Sequence, residues 1–199
     1  YLRCLNTLGV RAVSTVSSKA LAAEFHLNAA QIRKDLAYFG EFGVRGVGYD
    51  VQELRRHLRQ ILGLDRAVRV AILGAGHLGL ALADYPGFRS EGFVITGVFD
   101  TAHEKIGQAS RGGVPIFDMA DFATIVRREH IAIALVAVPA AAAQAVANQA
   151  VGAGVRALLN FAPVPVTVPA GVKVKHLDVT TWMSSLSFFL TQGEGHGST

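Results

Sequence analysis

Cysteine is nearly absent. Cys4 stands alone among 199 residues, which excludes an internal disulfide framework and suits a reducing compartment. Long apolar runs are missing as well. A bilayer span needs about 20 such residues, and the longest candidate, Ile131 to Ala147, is broken by Pro139 and reads as a buried strand followed by a helix. The opening Tyr1-Leu-Arg3 is not a charged region followed by an apolar stretch, so no secretory signal is expected. It does not begin with Met either, and residues 1–8 read as the remainder of a helix. A cytoplasmic location is the expectation. No HExxH, CxxC pair or GxSxG elbow occurs, so no metal site and no hydrolytic or dithiol chemistry is expected. Aromatic residues make up only 8% of the chain, while Val, Ala, Leu and Gly are abundant, as in many α/β proteins.

Charge is distributed unevenly. Residues 1–66 carry ten Lys/Arg against six Asp/Glu, whereas residues 67–199 carry nine of each. The whole formal charge of +4 therefore belongs to the first third. A basic small domain beside a neutral larger one points to a polyanionic partner for the small one.

The pattern breaks at Leu62 to Ala67, which sets the domain boundary after residue 66. Before it, periodicity is helical. Ser17 or Ser18 is placed to cap a helix through Phe25. A tight turn at His26-Leu27 follows, and Asn28 caps a third helix with Gln31 as its capping-box partner. Ile32, Leu36 and Phe39 form one buried stripe; Ala30, Arg33, Lys34 and Ala37 form the opposite face. Two short helices with a tight turn between them make a helix-turn-helix. The glycine-rich stretch Gly40 to Tyr49 reads as a hairpin, hence a wing. Residues 51–62 read as an amphipathic helix with Leu54, Leu58, Ile61 and Leu62 inward.

After the boundary, apolar strands alternate with helices, the signature of a parallel α/β sheet. Strands are expected at Val68–Leu73, Phe93–Phe99, Ile131–Val138, Val155–Asn160 and Val172–Leu177. Helices are expected at His77–Tyr85, Ala120–Arg128 and Ala140–Val151. A last helix at about Thr180–Gln192 has a wide apolar face of Trp182, Met183, Leu186, Phe189 and Leu190, followed by a disordered tail from Gly193.

Gly74-Ala75-Gly76-His77-Leu78-Gly79 is a GxGxxG motif between a predicted strand and a predicted helix, the context that gives it meaning. Gly74 permits the turn, Gly76 lets backbone approach a pyrophosphate, and Gly79 allows close helix–strand packing. Asp100, at the end of the second strand, is placed to accept hydrogen bonds from ribose hydroxyls and to repel a 2′-phosphate, favouring NAD(H). Lys105 lies close enough to matter at the same position. Val138-Pro139 and the loop Asn160-Phe161-Ala162-Pro163 end strands at the crevice side, and Tyr85 closes the first helix of this half. A Rossmann-type dinucleotide-binding domain is the expected fold. His103, His130 and His176 stand in unrelated contexts and read as surface residues.

The string from Gln31 to Tyr49 resembles the signature of the Rex family of redox-sensing repressors. So do GAGHLG, Asp84-Tyr-Pro-Gly87, Phe99-Asp100, Arg111-Gly-Gly-Val114, Asn160-Phe-Ala-Pro163 and Leu186-Ser-Phe188, in order along nearly the whole chain. The resemblance implies a homodimer, each subunit carrying a winged helix and a Rossmann domain, with the C-terminal helix (residues 179–192) swapped into its partner. It implies binding to an inverted-repeat operator upstream of respiratory and fermentative genes, release by NADH and competition by NAD⁺. It places Asn28, Ala29, Gln31, Arg33 and Lys34 at or near the major groove and Ser17 and Ser18 at phosphate. It also puts Arg45, with Gly46 and Tyr49, on the wing at the minor groove. Tyr85 matches a tyrosine near the nicotinamide, and Asp178 the acidic residue before the swapped helix. Val179 departs from relatives with a bulky aromatic at that position.

Two other readings compete. A small NAD-dependent oxidoreductase with a helical dimerisation domain predicts turnover and no DNA affinity; the basic first third and the missing catalytic pair argue against it. A nucleotide- or CoA-binding regulatory module is opposed by Asp100, whose carboxylate suits a free ribose diol.

Overall fold

The computed structural model describes residues 1–40, 42–44 and 46–194, with side chains through 191. Arg45 and the tail 195–199 lie outside the described residues. The chain divides into two compact units, Tyr1–Arg66 and Ala67–Thr199.

In the first unit, α1 (Leu2–Val10) is followed by the short strand β1 (Thr15–Val16), α2 (Ser18–Phe25), α3 (Ala29–Phe39), strand β2 (Tyr49–Asp50) and α4 (Val51–Ile61). Its core is built from Leu5 and Leu8 of α1, Leu21 of α2, Ile32 and Leu36 of α3, and Val51, Leu54 and Leu58 of α4. The starts of α2, α3 and α4 are each fixed by a side chain. Ser17 Oγ accepts from the Ala20 amide at 3.1 Å, Asn28 Oδ1 from Ala30 and Gln31 at 2.9 and 3.1 Å, and Asp50 Oδ1 from Glu53 at 2.7 Å. Between α2 and α3 the chain reverses through His26 in the left-handed region, with φ of 53°. Val44 and Gly48 exchange backbone hydrogen bonds across a tight turn, forming the hairpin wing, and β2 closes antiparallel on β1.

Three expectations for this unit need correcting. Phe39 is 52% exposed, because it is the last residue of α3 and the chain leaves the core at Gly40. Ile61 and Leu62 are exposed as well; the inward stripe of α4 runs 51, 54, 58, and the helix ends before its next turn reaches the core. Gln31 does not complete a capping box. Its side chain turns forward to Asp35 instead of back to the cap.

The second unit is a six-stranded, all-parallel sheet. Its strands are β3 (Val68–Leu73), β4 (Phe93–Asp100), β5 (Ile116–Asp118), β6 (Ile133–Val136), β7 (Ala157–Asn160) and β8 (Lys173–His176). The order β5-β4-β3-β6-β7-β8 reverses between β3 and β6, which is the doubly wound dinucleotide-binding topology with its switch point at those two strands. Helices α5 (His77–Ala83), α6 (Pro86–Ser90), α7 (Phe122–Glu129) and α8 (Ala140–Gly152) accompany the sheet. Alternating residues of β3 feed two cores. Ala71 and Leu73 pack with Phe99, Phe122 and the Ala143, Ala147 and Ala150 face of α8; Val70 and Ile72 pack with Ala83, Val98 and Leu135.

The expected helix 77–85 stops at Ala83, because Pro86 starts a separate helix at its first position. The third strand is shorter than expected, and the helix expected from Ala120 begins as a 3₁₀ turn over Met119–Asp121. The final helix α9 (Val179–Glu194) runs through Gly193, where a disordered tail was expected to start. Among the described residues no helix is long and apolar enough to cross a membrane.

Candidate functional site

The carboxyl end of β3 runs into Gly74, whose φ of 107° is open only to glycine. A Cβ there would also lie 2.4 Å from the Ala137 carbonyl oxygen. Gly79 is closed in a different way: a Cβ would sit 1.9 Å from the Gly74 carbonyl oxygen, so this glycine lets α5 touch the turn. At Gly76, the residue before α5, a Cβ would meet nothing within 4 Å. Gly76 has no side-chain cap to offer, so the first amides of α5 face outward beside exposed His77 and Leu78. An anionic group fits that space and that partial positive charge. Each glycine thus has the local geometry that the motif requires.

Asp100 ends β4 and faces the same turn. Its Oδ2 accepts from the Ala75 amide at 2.6 Å and its Oδ1 from Ala102 at 2.9 Å, with Lys105 Nζ 3.7 Å from Oδ2. Burial pushes its pKa up, but the Ala102 and Ala75 amides and the Lys105 cation outweigh it, and the carboxyl titrates below the usual range. Asp100 therefore braces the glycine turn, and Lys105 is tied to it.

The other expected residues divide. Tyr85 is 57% exposed at the start of α6, its ring edge-on to Phe88. Val138 and Pro139 lead from β6 into α8 at the switch point, as expected from their position. Asn160 is a correction. It is fully buried; Oδ1 accepts from the Ala162 amide at 3.0 Å while Nδ2 donates to the Val164 carbonyl at 2.7 Å and meets His176 Nδ1 at 3.1 Å. Its polar atoms fasten its own loop and strand β8, which leaves none aimed at the crevice. Ala162 is buried beside it and Pro163 is exposed. Asp178 is the cap of α9, accepting from the Thr180 amide at 2.9 Å and the Thr181 hydroxyl at 2.8 Å. The Thr180 hydroxyl, which also donates to Oδ1, and the Thr181 hydroxyl hold its pKa below the ordinary aspartate value.

Asp84 was legible only as part of a motif, yet it carries a contact of its own. Its Oδ1 accepts from the Ser110 hydroxyl and from the Gly112 amide at 2.9 Å, and Ser110 Oγ accepts from Val114 at 3.1 Å. Asp84-Tyr-Pro-Gly and Arg-Gly-Gly-Val are thus one structure: a carboxylate beside Tyr85 pins the loop that follows Asp100. No local spacing reveals a pair so far apart in the chain. The Ser110 hydroxyl is the main cause of a lowered Asp84 pKa, opposed by burial and helped by the Gly112 and Arg111 amides. A carboxylate with a depressed folded pKa stabilises above its unfolded value, about 4, and loses that contribution as pH falls through the folded pKa. Asp84→Asn is expected to cost about 1 kcal/mol at pH 7, and the gap to the parent in urea melts should close below about pH 4. An unchanged gap across that range would show that the charge is idle.

In the first unit, Ser17, Ser18 and Arg33 of α2 and α3 and Val44, Gly46 and Val47 of the wing line one open groove. Arg33 donates to Ser18 Oγ at 3.1 Å. Asn28, which caps α3, and Gln31, Arg33, Lys34 and Ala37 on it are exposed, and Ala29 and Tyr49 are half-buried. Gly46 has φ of 86° and open space around it. The α9 face is apolar and uncovered: Trp182 is 71% exposed, Leu186 62% and Phe189 74%. Among the described residues no acidic, His or Cys cluster is arranged to hold a metal ion.

These two units define the class, a winged helix-turn-helix joined in one chain to a Rossmann unit. Residues 65–164 match the family model described as CoA binding domain, and residues 1–37 that described as Putative DNA-binding protein N-terminus. The chain is 43% identical over 196 residues to a redox-sensing transcriptional repressor Rex of Chloroflexus aggregans, covering 98% of this chain and 92% of that one. It is 45% identical over 188 residues to the Rex of Carboxydothermus hydrogenoformans, covering 94% and 90%. The crystal structure of RSP in complex with beta-NAD+ and operator DNA aligns with a TM-score of 0.90 at 34% identity, covering 100% of this chain and 94% of that one. RSP in complex with beta-NADH aligns at 0.83 and 34% identity, covering 98% and 90%. The chain belongs to the Rex family of redox-sensing transcriptional repressors. Its relatives are named repressors, not enzymes, and the oxidoreductase reading falls with that.

Proposed function

We propose that this protein is a cytoplasmic homodimeric repressor that binds an inverted-repeat operator and leaves it when NADH binds, NAD⁺ competing for the same site. The observation that carries the reading is the junction of two incompatible-looking surfaces in one chain. One unit bears a basic helix-turn-helix with a wing; the other bears a glycine turn whose open position, Gly76, faces a helix start. RSP, similar along the whole chain, is described with NAD⁺ and operator DNA together and separately with NADH.

The residue roles in this reading are those the motif and the family resemblance imply. The first amides of α5, at Gly76, His77 and Leu78, take the pyrophosphate, and Asp100 the ribose. Tyr85 and Asp178 belong to the nicotinamide end, and Val138 and Pro139 line the crevice at the switch point. Arg33 and Lys34 reach bases or phosphates, Ser17 and Ser18 phosphates, and Arg45 the minor groove. A twofold dimer reads two half-sites at a fixed separation. The coupling is reciprocal, so operator DNA must weaken NADH binding by the factor by which NADH weakens operator binding. The test is fluorescence anisotropy of a labelled inverted-repeat duplex at fixed salt, titrated with protein, then with NADH or NAD⁺. Release by NADH at far lower concentration than NAD⁺ is expected. Binding indifferent to both would leave a DNA-binding protein without the sensor.

A further inference from the structure

One half-buried residue on the flank of α3 has the wrong charge for a polyanion. Asp35 sits one turn after Gln31, and its two carboxylate oxygens are both used. Oδ1 accepts from Gln31 Nε2 at 2.5 Å, and Oδ2 accepts from the Tyr1 hydroxyl at 2.6 Å. Tyr1 precedes α1, so the contact crosses from the first helix of the unit to the third. A carboxylate beside phosphates is repelled by them, and one held in place from two sides needs a reason to be there.

The chemistry of the Gln31 amide supplies it. An unrestrained amide presents oxygen or NH₂ with equal ease by turning over. Facing a carboxylate, only the NH₂ end is attractive, since the oxygen end would set two acceptors against each other. With one N–H committed to Asp35, the amide keeps its oxygen and its second N–H. That acceptor–donor pair is the complement of an adenine edge, which offers N6–H and N7. We propose that Asp35 and Tyr1 are positioning residues for base readout: the Tyr1 hydroxyl fixes the Asp35 carboxylate, and the carboxylate fixes the Gln31 amide in the orientation that selects adenine. The inference rests on α3 being the helix that enters the major groove. The hydrogen bond to Asp35, together with burial, holds the Tyr1 hydroxyl protonated, with its pKa raised to about 12, so the relay persists through the physiological range.

The experiment is selection from a pool of duplexes randomised over two inverted half-sites, with base preferences read position by position for the full-length protein and its variants. Gln31→Ala is expected to erase a preference for adenine at one position of each half-site, a preference of about tenfold. Asp35→Ala should erase the same preference at the same position and leave the others standing, while affinity for unselected duplex rises because a negative charge is gone. Tyr1→Phe should reduce that preference part-way. Asp35→Asn should keep it, since an amide oxygen still accepts from Gln31 and the amide NH₂ can donate to Tyr1. The opposite signs of the two Asp35→Ala effects, and rescue by Asn, separate positioning from a damaged helix. The proposal is overturned if Asp35→Ala keeps the parent profile or weakens every position by a common factor. It is also overturned if Gln31→Ala changes nothing while Arg33→Ala reshapes the profile; the helix then still reads DNA, without this relay. If Gln31→Ala, Arg33→Ala and Lys34→Ala are all without effect, the assignment of α3 as the reading helix fails with it.

Discussion

Gly76→Val is expected to yield a folded repressor that NADH releases only at about 100-fold higher concentration or more. Gly76 has extended backbone, φ −80° and ψ −177°, which a β-branched residue adopts without strain, and a Cβ there meets nothing within 4 Å. The protein has no need of glycine at this position for its own packing; the need arises only when something approaches from outside. A valine would stand between the α5 amides and a pyrophosphate. Losing two charge-assisted hydrogen bonds lowers NADH affinity about 100-fold or more. Operator titrations should then show parent-like DNA binding and release shifted to correspondingly higher NADH. Gly79→Ala is the control with the opposite character. Its Cβ would lie 1.9 Å from backbone oxygen, which no rotamer change relieves. Overpacking of this kind costs about 1–3 kcal/mol and should appear as a lower urea midpoint. If Gly76→Val unfolds the protein, the position is needed for packing after all; if the folded variant responds to NADH like the parent, the pyrophosphate does not lie over this residue.

Leu186→Ser combined with Phe189→Ser is expected to convert a dimer into a monomer. The α9 face presents Trp182, Met183, Leu186, Phe189 and Leu190 to solvent in a single chain, each more than 60% exposed. An uncovered stripe of this size marks an association surface. Two half-site contacts made by one dimer gain from effective concentration, so loss of the second contact lowers operator affinity by about 10²- to 10⁴-fold. Sedimentation velocity gives the mass and anisotropy gives the affinity. A variant that remains dimeric would place the subunit contact elsewhere and leave α9 unexplained.

Much of this architecture was legible because it repeats locally. Six-residue β3, the glycine turn and the helix after it form one continuous signal, and the caps Ser17 and Asn28 act within three residues of themselves. What was not legible depends on partners distant in the chain. β1 and β5 are two and three residues long, too short to show a period of two, and exist because β2 and β4 lie beside them. Phe39, Ile61 and Leu62 satisfy a helical stripe on paper, but the core ends before those turns do. Asn160 was placed correctly at the end of its strand and wrongly in the crevice, since burial turned its amide to Val164 and His176. The links Asp84–Ser110 and Tyr1–Asp35 span 26 and 34 positions, and neither has a local signature.

The second unit ends its sheet on β8, a strand bonded on one side only, to β7. A bare parallel edge is a template on which another strand can add, and such addition has no natural stopping point. Lys173 and Lys175 both stand exposed on that edge, and stacking a second copy there would bring like charges together. Growth by sheet extension is discouraged, whereas an apolar helix face that met its equivalent in a second copy would close on itself after one step. Two ammonium groups on the last strand thus act against open-ended aggregation.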